Sequence, residues 1–577
     1  MWFLPKINLI KMNRLTFLLF CLFVGDTLCA PLVCIQENQC LSGKTMSGTK
    51  SKKFDAFFGI PYAKPPTGNL RFSEPEPAER WNGTLDCTKE KPICIQENVL
   101  IPNPTVDGSE DCLYLNVYRP RSANGYLFRK PLPVMIFIHY GGLFSGTITP
   151  YLLGPEYFMD TGSVILVLMQ YRLGSLGFLT TGDLECPGNF GYKDQTMAMR
   201  WVKENIGCFG GDTNSITLFG QSAGAVSAHM HMLSPLSKGL FHRAIVQSGN
   251  AIAPYNFPVT NPLAQAREQA RVLDIPNADN LTSAEIVREL RKIDASTLVR
   301  SANKMKFFSV DPIVLFRTAI EPHSPTAFMC ENPIEIVKKG NFNHIPWMTG
   351  LVPNEGIVRA GAILTNATVL EELNENFDNV MPQLMQISAT GDDLATFWEK
   401  AKNFYFNGQA HVNDTNWQQF VDIFSHRAFY HPFLKTTEAY VNYADVNVNP
   451  VYLYKFSYRG NYSYSLAFTG TTRDFGVGHC DDLIYLFRSP ALFPNGLAVD
   501  SMDNQMKNIL VRTWISFAIS GKPKEWTIMD KCRKENFNPI CQYQHFTNGP
   551  SEDIRVSTSQ DFDMPAMKLW DELKEYW

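Results

Sequence analysis

The pentapeptide Gly-Gln-Ser-Ala-Gly at 220–224 is the segment with the clearest chemical use. The apolar run Ile216–Phe219 precedes it, and the helix-compatible stretch Ala225–Leu233 follows it. A strand, a sharp turn and a helix are the setting in which a Gly-x-Ser-x-Gly motif exposes a serine oxygen, because the flanking glycines allow the tight turn. The motif alone also arises by chance, so its context carries the argument. It predicts Ser222 as a nucleophile, with the N–H of Ala223 available to an oxyanion.

A second glycine-rich segment, His139–Gly146, follows the apolar run Val134–Ile138. Paired glycines after a strand can form a plain turn. However, Gly141 and Gly142 have no side chains that would block a substrate carbonyl, so their amides also suit an oxyanion hole. Together with Ala223 they would supply three donors.

An acid and a histidine would complete a site for acyl transfer. On a nucleophile turn of this kind they follow the serine in chain order. Glu355 and His479 fit this order, and each comes after an apolar run that predicts a strand. The three residues Ser222, Glu355 and His479 span almost half of the chain, yet they must meet in one site.

Short apolar runs that alternate with helical stretches are the elements that would position these residues. Six runs have this character: Val134–Ile138, Val164–Leu168, Ile216–Phe219, Ala244–Val246, Ile345–Met348 and Val451–Phe456. Continuous apolar runs of this length suit strands that are buried on both faces. Their alternation with helices predicts an α/β fold with a mostly parallel sheet, in which ligands bind beyond the carboxyl ends of the strands.

Composition sets wider limits on the class of protein. The chain has 577 residues, of which 45% are hydrophobic and 19% charged, and its net charge is −4. These values are typical of a packed globular protein, and they give no electrostatic reason to expect nucleic acid or an anionic membrane as a partner. At roughly 150 residues per domain the length suggests about four domains. Because the candidate site spans the chain, residues 31–577 are instead predicted to form a single domain.

Residues 1–30 predict a secretory signal peptide. Lys6, Lys11 and Arg14 precede the apolar run Leu15–Val24, and small residues follow near Ala30. A membrane anchor is the alternative, but the run is about half of the roughly 20 residues that span a bilayer. No later segment predicts a span, and the C-terminus carries no retention signal or lipid-anchor tail. We therefore expect a secreted, extracellular protein without stable membrane insertion.

Secretion would place the cysteines in an oxidising compartment, where disulfides form. Three pairings are close in sequence: Cys34 with Cys40, Cys94 with Cys112, and Cys532 with Cys541. Four other cysteines are expected to be small buried side chains: Cys186, Cys208, Cys330 and Cys480. Five sequons are compatible with N-glycosylation, at Asn82, Asn280, Asn366, Asn413 and Asn461.

Beyond these motifs, the sequence resembles the type-B carboxylesterase and cholinesterase family. The matching segments run in order along nearly all of the chain after the leader: Phe58–Ala63, Leu70–Phe72, Ser109–Asn116, Gln170–Phe178, Pro187–Gln195 and Gln247–Gly249. The resemblance implies an α/β-hydrolase fold, in which helices flank a large, mostly parallel central sheet and insertions form a gorge. It also implies a serine esterase that needs no metal or organic cofactor.

The resemblance assigns roles to individual residues. Ser222, Glu355 and His479 would be catalytic, and Gly141, Gly142 and Ala223 would form the oxyanion hole. The substrate gorge would include Tyr140, Leu143, Phe144, Gln221 and Tyr255. The resemblance also implies a disulfide between Cys94 and Cys112 and the structural ion pairs Arg71–Glu110 and Arg172–Asp194.

Within the family, the chain is most similar to insect carboxylesterases of the juvenile hormone esterase group. The shared set comprises Arg71-Phe72, Asp194-Gln195, Gln221, Glu355 and the pattern Gly476-x-x-His479-x-x-Asp482. Most carboxylesterases and cholinesterases have Glu at the position of Gln221, a negative charge that would favour a cationic choline ester. The segment between Cys94 and Cys112 also contains no tryptophan, which cholinesterases use to bind choline. A cholinesterase is therefore disfavoured on two counts.

Tyr140 is a departure from the family, which has a glycine at this position. Gly141 and Gly142 remain, so we expect catalysis to persist while the ring narrows or reshapes the gorge. Two interpretations stay open, because tyrosine has an intermediate tendency to be buried. The ring either lines the gorge or points into the core.

The expected reaction is two-step acyl transfer on a small, uncharged, lipophilic ester, with Ser222 as nucleophile, His479 as base and Glu355 as its orienting acid. The juvenile hormone esterase group is one assignment. The alternatives are a broad detoxifying or odorant-degrading esterase, a venom or digestive-fluid esterase, and a non-catalytic adhesion protein of the same fold. The retained triad disfavours the adhesion protein. The sequence leaves the oligomeric state open.

Overall fold

The computed structural model describes residues 30–121, 130–445, 447–524, 526, 533–535, 538–540, 542–551, 553–560 and 562–577. The predicted signal peptide lies outside the described residues except for Ala30. Cys532 and Cys541, the third predicted disulfide pair, also lie outside them.

The described strands are numbered β1 to β18 in chain order. Their bounds are Leu32–Gln36, Gln39–Ser42, Lys44–Ser47, Lys53–Pro61, Gly83–Asp86, Gln96–Glu97, Val106–Asp107, Tyr114–Pro120, Leu132–Ile138, Ile165–Met169, Gly211–Gln221, Arg243–Gln247, Trp347–Leu351, Val451–Ser457, Arg533–Glu535, Asn538–Ile540, Tyr543–Asn548 and Ile554–Ser559.

The described α-helices are numbered α1 to α17. Their bounds are Glu156–Met159, Gly174–Phe178, Phe190–Asn205, Ala223–Leu233, Pro262–Val272, Ser283–Lys292, Ala295–Ser301, Pro333–Lys339, Ile357–Leu364, Ala367–Glu375, Phe377–Leu384, Gly391–Phe406, Trp417–Ser425, His431–Tyr443, Ser465–Thr469, Met502–Ser520 and Met564–Asp571. A π-helical turn, His426–Tyr430, joins α13 to α14.

Eleven of the described strands form one sheet in the order β18-β17-β14-β13-β12-β11-β9-β10-β8-β4-β3. The strands from β10 across to β17 are parallel to one another. At one edge β8 is antiparallel to β10, β4 to β8, and β3 to β4. At the other edge β18 is antiparallel to β17. The mostly parallel sheet predicted from the apolar runs is therefore confirmed.

The central strands are buried on both faces, as the apolar runs predict. In β9, Val134 and Ile136 belong to one apolar cluster, whereas Met135 and Phe137 belong to another. Successive side chains of a strand point to opposite faces, so the two clusters lie on the two sides of the sheet. Residues of α3 and α4 contribute to the first cluster, and residues of α16 contribute to the second. The sheet is thus a middle layer between helices.

The segment between β13 and β14 supplies a third apolar cluster. It includes Ile357 of α9, Met381 of α11, Trp398 of α12 and Phe424 of α13. These helices therefore pack on one another as an insertion between two neighbouring strands of the sheet.

Two of the predicted disulfides are present, Cys34–Cys40 and Cys94–Cys112. The predicted ion pairs are also present, with nitrogen–oxygen distances of 2.6 Å in Arg71–Glu110 and 2.7 Å in Arg172–Asp194. Both pairs are largely buried. They join segments that are distant in sequence, so they are part of the core rather than of a solvated face.

The expectation for the remaining cysteines is partly wrong. Cys186 and Cys480 are buried, but Cys208 is exposed and Cys330 is only partly buried. Cys208 lies in a short 3₁₀ turn whose neighbours Ile206 and Phe209 occupy the buried positions. A turn of this kind cannot bury every side chain, so the more apolar residues point inward.

Asparagines of the five sequons lie on the accessible surface. Asn82, Asn280, Asn366 and Asn461 are exposed, and Asn413 is partly exposed. Across the helices of the described residues, none combines the length and the low polarity that a membrane crossing requires.

Candidate active site

Ser222 lies in the sharp turn between β11 and α4. Its backbone has φ 55° and ψ −124°, a strained combination for a residue with a side chain. The N–H of Ser222 donates to the carbonyl of Gln247 at 2.9 Å, and its carbonyl accepts from the N–H of Val226 at 2.8 Å. These bonds, to β12 and within α4, hold the turn that presents the serine at the carboxyl end of the sheet.

The two glycines of the motif are required by close packing. A Cβ atom on Gly220 would overlap the carbonyl of Gly224, and a Cβ on Gly224 would overlap the carbonyl of Ile138 at the end of β9. Any side chain at these positions would push α4 away from the sheet. The spacing that predicted the turn from sequence therefore has a direct steric cause.

Glu355 and His479 come from two loops that follow neighbouring strands, β13 and β14. Oε2 of Glu355 lies 2.5 Å from Nδ1 of His479. Oε1 of Glu355 accepts from the N–H of Val352 at 2.9 Å. Glu355 is fully buried and His479 is 1% exposed. A buried carboxylate on Nδ1 fixes the orientation of an imidazole, so Nε2 is the nitrogen that can act as a base.

Gln221 lies against the same imidazole. Its Nε2 atom is 3.3 Å from Nε2 of His479, and the thiol of Cys480 donates to its Oε1 atom at 3.1 Å. Gln221 is fully buried. A neutral amide therefore occupies the place where a glutamate would put a negative charge beside the histidine.

The glycines after β9 form a tight turn beside the serine. Gly141 has φ 110° and Gly142 has φ 64°, values that favour residues without a side chain. The N–H of Ser145 donates to the carbonyl of Gly141 at 2.8 Å and closes the turn. Gly141, Gly142 and Ala223 line the same cavity as Ser222 and His479. The three residues predicted to supply oxyanion donors thus line one cavity with the serine.

The cavity at Ser222 opens to solvent, and with the open space at its mouth included it has a volume of about 980 Å³. Three of the predicted gorge residues line it: Tyr140, Leu143 and Tyr255. The other two do not. Gln221 contacts Nε2 of His479 without lining the cavity, and Phe144 lines a neighbouring cavity of about 540 Å³. Phe144 follows Leu143 directly in sequence, but the sharp turn that begins at Gly141 and Gly142 directs the two side chains into different cavities.

Sequence reasoning missed most of the cavity wall. The apolar residues it missed include Val358, Phe424, Phe429 and Phe468, and the polar ones include Asn256, Asp311, Arg359, Gln386 and Arg427. Most of them belong to the helical insertion between β13 and β14. No local motif marks them, because they reach the cavity only once α9, α11 and α13 have packed.

Tyr140 contacts both the core and the cavity. Its ring lines the cavity and packs edge-on against Tyr464, with ring centroids 6.1 Å apart at an interplanar angle of 84°. Burial, with a smaller contribution from Tyr464, raises the pKa of the Tyr140 hydroxyl well above its usual value. The group is therefore neutral at physiological pH.

Asp482 of the predicted Gly-x-x-His-x-x-Asp pattern lies just behind the site. It is fully buried, and its Oδ2 atom accepts from Nε2 of Gln247 at 2.8 Å and from the hydroxyl of Tyr454 at 3.0 Å. Burial is the main cause that raises the pKa of Asp482 to about 6. Asp482 therefore anchors the histidine loop to β12 and β14.

Asp482→Asn is expected to change how stability depends on pH. The folded pKa of about 6 lies above the unfolded value of 3.8, so between these values the folded protein holds a proton that the unfolded chain has released. The free energy of unfolding then falls as pH rises, by about 3 kcal/mol in all for a shift of this size. Asn does not titrate, so the free energy of unfolding of the variant does not fall in this way. The difference in the free energy of unfolding, variant minus wild type, should therefore increase from pH 4 to pH 6.

Urea unfolding at pH 4, 5, 6 and 7 measures the difference between the two proteins. The exposed Asp500→Asn provides a matched control, for which a flat difference is expected. A difference for Asp482→Asn that does not vary with pH would contradict the assignment of a raised pKa to this carboxyl.

A metal site is not evident in the part of the chain that the structure describes, since no group of three or more His, Cys, Asp or Glu side chains there is arranged to hold an ion.

Comparisons with known proteins agree with this architecture. Residues 31–560 match the Carboxylesterase family. Juvenile hormone esterase of Tribolium castaneum is 41% identical over 516 residues, which cover 87% of this chain and 86% of that protein. Venom carboxylesterase-6 of Apis mellifera is 34% identical over 90% of this chain and 91% of that protein.

A solved structure extends the likeness to the fold. The crystal structure of juvenile hormone esterase from Manduca sexta, with OTFP covalently attached, aligns with a TM-score of 0.79 at 28% identity. The alignment covers 95% of this chain and 100% of that chain. The α/β-hydrolase fold is thereby confirmed, and the chain belongs to the carboxylesterase family as a carboxylic ester hydrolase.

Proposed function

We propose that the chain is a secreted serine esterase in which Ser222, His479 and Glu355 hydrolyse uncharged, lipophilic esters. The observation that carries the proposal is the 2.5 Å contact of buried Glu355 with His479, which lines the cavity that also holds Ser222. A histidine oriented in this way can take a proton from a serine hydroxyl. Residues 31–577 act as one domain in this proposal, because the three side chains come from strand ends of one sheet.

The proposed reaction proceeds in two steps. Ser222 attacks the ester carbonyl while Nε2 of His479 takes its proton, and Glu355 stabilises the imidazolium that forms. The amides of Gly141, Gly142 and Ala223 donate to the oxyanion. His479 then protonates the departing alcohol. Water attacks the acyl-enzyme by the same route and releases the acid.

The cavity wall supports the choice of an uncharged, lipophilic substrate. Most of its side chains are apolar. The charged groups in it are paired: Arg359 with Asp311, and Arg427 with Glu575. The wall therefore offers no unbalanced charge to a cationic or anionic ester. A hydrophobic pocket binds hydrocarbon groups most favourably.

Juvenile hormone esterases are among the relatives by sequence and by structure, and this likeness supports a juvenile hormone esterase-like substrate preference. A venom carboxylesterase is also among the relatives, so a broader esterase is the second candidate. Secretion is supported by the leader sequence, by the disulfides Cys34–Cys40 and Cys94–Cys112, and by exposed sequons.

Two measurements test the proposal. Folded, purified protein is first treated with a fluorophosphonate probe and digested, and a mass increase is expected on the peptide that contains Ser222. Absence of label would favour the non-catalytic alternative. Aryl esters of increasing acyl length, with juvenile hormone as competitor, then rank the substrates. Strong competition supports the hormone-esterase assignment, and weak competition supports the broader esterase.

Tyr140→Gly is expected to change substrate ranking more than it changes the rate on a small ester. Loss of the ring enlarges the cavity beside the oxyanion amides, so kcat/KM for esters with bulky acyl groups should rise relative to kcat/KM for acetate esters. The ratio of kcat/KM for a branched-chain ester to kcat/KM for p-nitrophenyl acetate, in wild type and in the variant, measures this change. The same ranking and the same rates in both proteins would show that Tyr140 acts only in packing.

A further inference from the structure

A buried ion pair lies on the wall of the substrate cavity. Arg359 sits in α9, one helical turn after Glu355, and pairs with Asp311. Both side chains line the cavity that holds Ser222 and His479, and they are 6% and 3% exposed. Their neighbours in this wall include apolar side chains such as Val358 and Phe424. A wall that served only to hold hydrocarbon would be better made of apolar groups, since burial of charge costs free energy.

The guanidinium of Arg359 is only partly satisfied. Asp311 lies against Nη2, but Nε and Nη1 are buried and have no hydrogen-bond acceptor among the described residues. The ring of Phe424 lies 5.9 Å from Cζ and covers one face of the group. Burial lowers the pKa of Arg359 to about 9, which still leaves it charged at neutral pH. Buried donors of a charged group are costly to leave unpaired, so an acceptor in the filled cavity would stabilise them.

The other arginine of the cavity wall shows the contrast. Nε of Arg427 donates to the carbonyl of Met385 at 2.9 Å, and Nη2 donates to the carbonyl of Gln386 at 3.0 Å. Its Nη1 pairs with Glu575 at 2.6 Å. Nε and Nη2 of Arg427 are therefore hydrogen-bonded within the protein, and Nη1 is held by the ion pair. Arg359 is the arginine of this wall whose donors remain available.

We propose that Arg359 is a second recognition point for the substrate, at which Nε and Nη1 donate hydrogen bonds to a neutral oxygen of the ester remote from the scissile carbonyl. An ether, ketone or hydroxyl oxygen has the required lone pairs. Asp311 balances the charge of Arg359 and would repel a second carboxylate, so a neutral acceptor is preferred to an anion. The substrate class is then a lipophilic ester with one remote polar oxygen. This inference rests on the proposed function, because it places the ester carbonyl at Ser222.

Matched esters test the inference. Methyl esters of unbranched fatty acids are compared with analogues in which one CH₂ is replaced by an ether oxygen, moved stepwise along the chain. Alkyl acetates with the same replacements cover the reverse orientation. At one or two positions the wild type should prefer the oxygen-containing ester by about 10- to 100-fold in kcat/KM, the range for a hydrogen bond to a charged group. Elsewhere the hydrocarbon should be preferred.

Arg359→Met should reverse the preference at those positions, because the ether oxygen then loses its donor and is only less hydrophobic than CH₂. Arg359→Lys should restore part of it. Asp311→Asn/Arg359→Met removes both charges together, so no lone buried carboxylate remains, and it should behave as Arg359→Met does. If Arg359→Met alone does not fold, the double variant decides the result.

Two outcomes would overturn the inference alone. In the first, the wild type hydrolyses the esters but prefers the hydrocarbon ester at every position of the replacement. In the second, the preference for the oxygen-containing ester persists in Arg359→Met. If instead no ester is hydrolysed and fluorophosphonate does not label Ser222, the proposed function fails and the inference fails with it. Fluorophosphonate labelling of each variant confirms that differences in kcat/KM are measured on a folded, reactive site.

Discussion

Ser222→Ala is expected to lower kcat for ester hydrolysis by about 10⁶-fold, the size of effect that removal of a catalytic serine has elsewhere. The acyl-enzyme cannot form without the serine oxygen, and only the oxyanion amides and substrate binding then contribute. Hydrolysis of p-nitrophenyl butyrate measures the loss. Stoichiometric fluorophosphonate labelling, present in wild type and absent in the variant, reports the same oxygen independently.

Ser520→Ala is a matched control, since Ser520 is an exposed serine at the end of α16. It should keep the wild-type rate and label. A Ser222→Ala protein that hydrolyses the ester within tenfold of wild type would exclude Ser222 as the nucleophile.

Glu355→Gln is expected to lower kcat by about 10⁴-fold with little change in KM. The amide has almost the same shape and can keep the bond from the N–H of Val352, but it has no charge to stabilise the imidazolium of His479. It can also present an N–H to Nδ1, which would favour the wrong tautomer. Steady-state kinetics on p-nitrophenyl butyrate and the melting temperature are measured together, because the loss should appear in kcat and not in the fold.

Glu375→Gln, an exposed glutamate at the end of α10, serves as the control and should match wild type. Glu355→Gln with a kcat within tenfold of wild type would mean that the buried carboxylate only supports the loop. An equally large loss accompanied by a much lower melting temperature would point to the same structural role.

The sheet could be predicted because strands buried on both faces appear in the sequence as short continuous apolar runs. Each of the six apolar runs overlaps a strand, although the ends differ. β13 begins at Trp347 rather than Ile345, because Pro346 has no N–H to donate. β11 continues through Gln221, so the strand carries the chain up to the serine. The strand order could not be predicted, since it depends on which runs pair across long separations in sequence.

The serine of the candidate triad could be named from glycine spacing, and the acid and histidine from chain order together with the family resemblance. Their geometry could not be derived from the sequence. The contact of Gln221 with His479 joins positions 258 residues apart, and the bond from Cys480 to Gln221 spans 259. Phe144 shows that neighbours in sequence can also separate in space. It follows Leu143 directly, yet the turn that begins at Gly141 and Gly142 directs the two side chains into different cavities.

The sequence by itself determined the α/β class, the family, and the candidate serine, acid, histidine and amide donors, and the family resemblance implied the pairing of Cys94 with Cys112. The strands and the nucleophile turn depend on short-range constraints, such as steric limits at glycines and the burial of continuous apolar runs. Only the tertiary structure decided the shape and polarity of the cavity. Its wall comes from helices inserted between β13 and β14, and side chains such as Arg359 and Asp311 acquire their neighbours only when that insertion packs against the sheet.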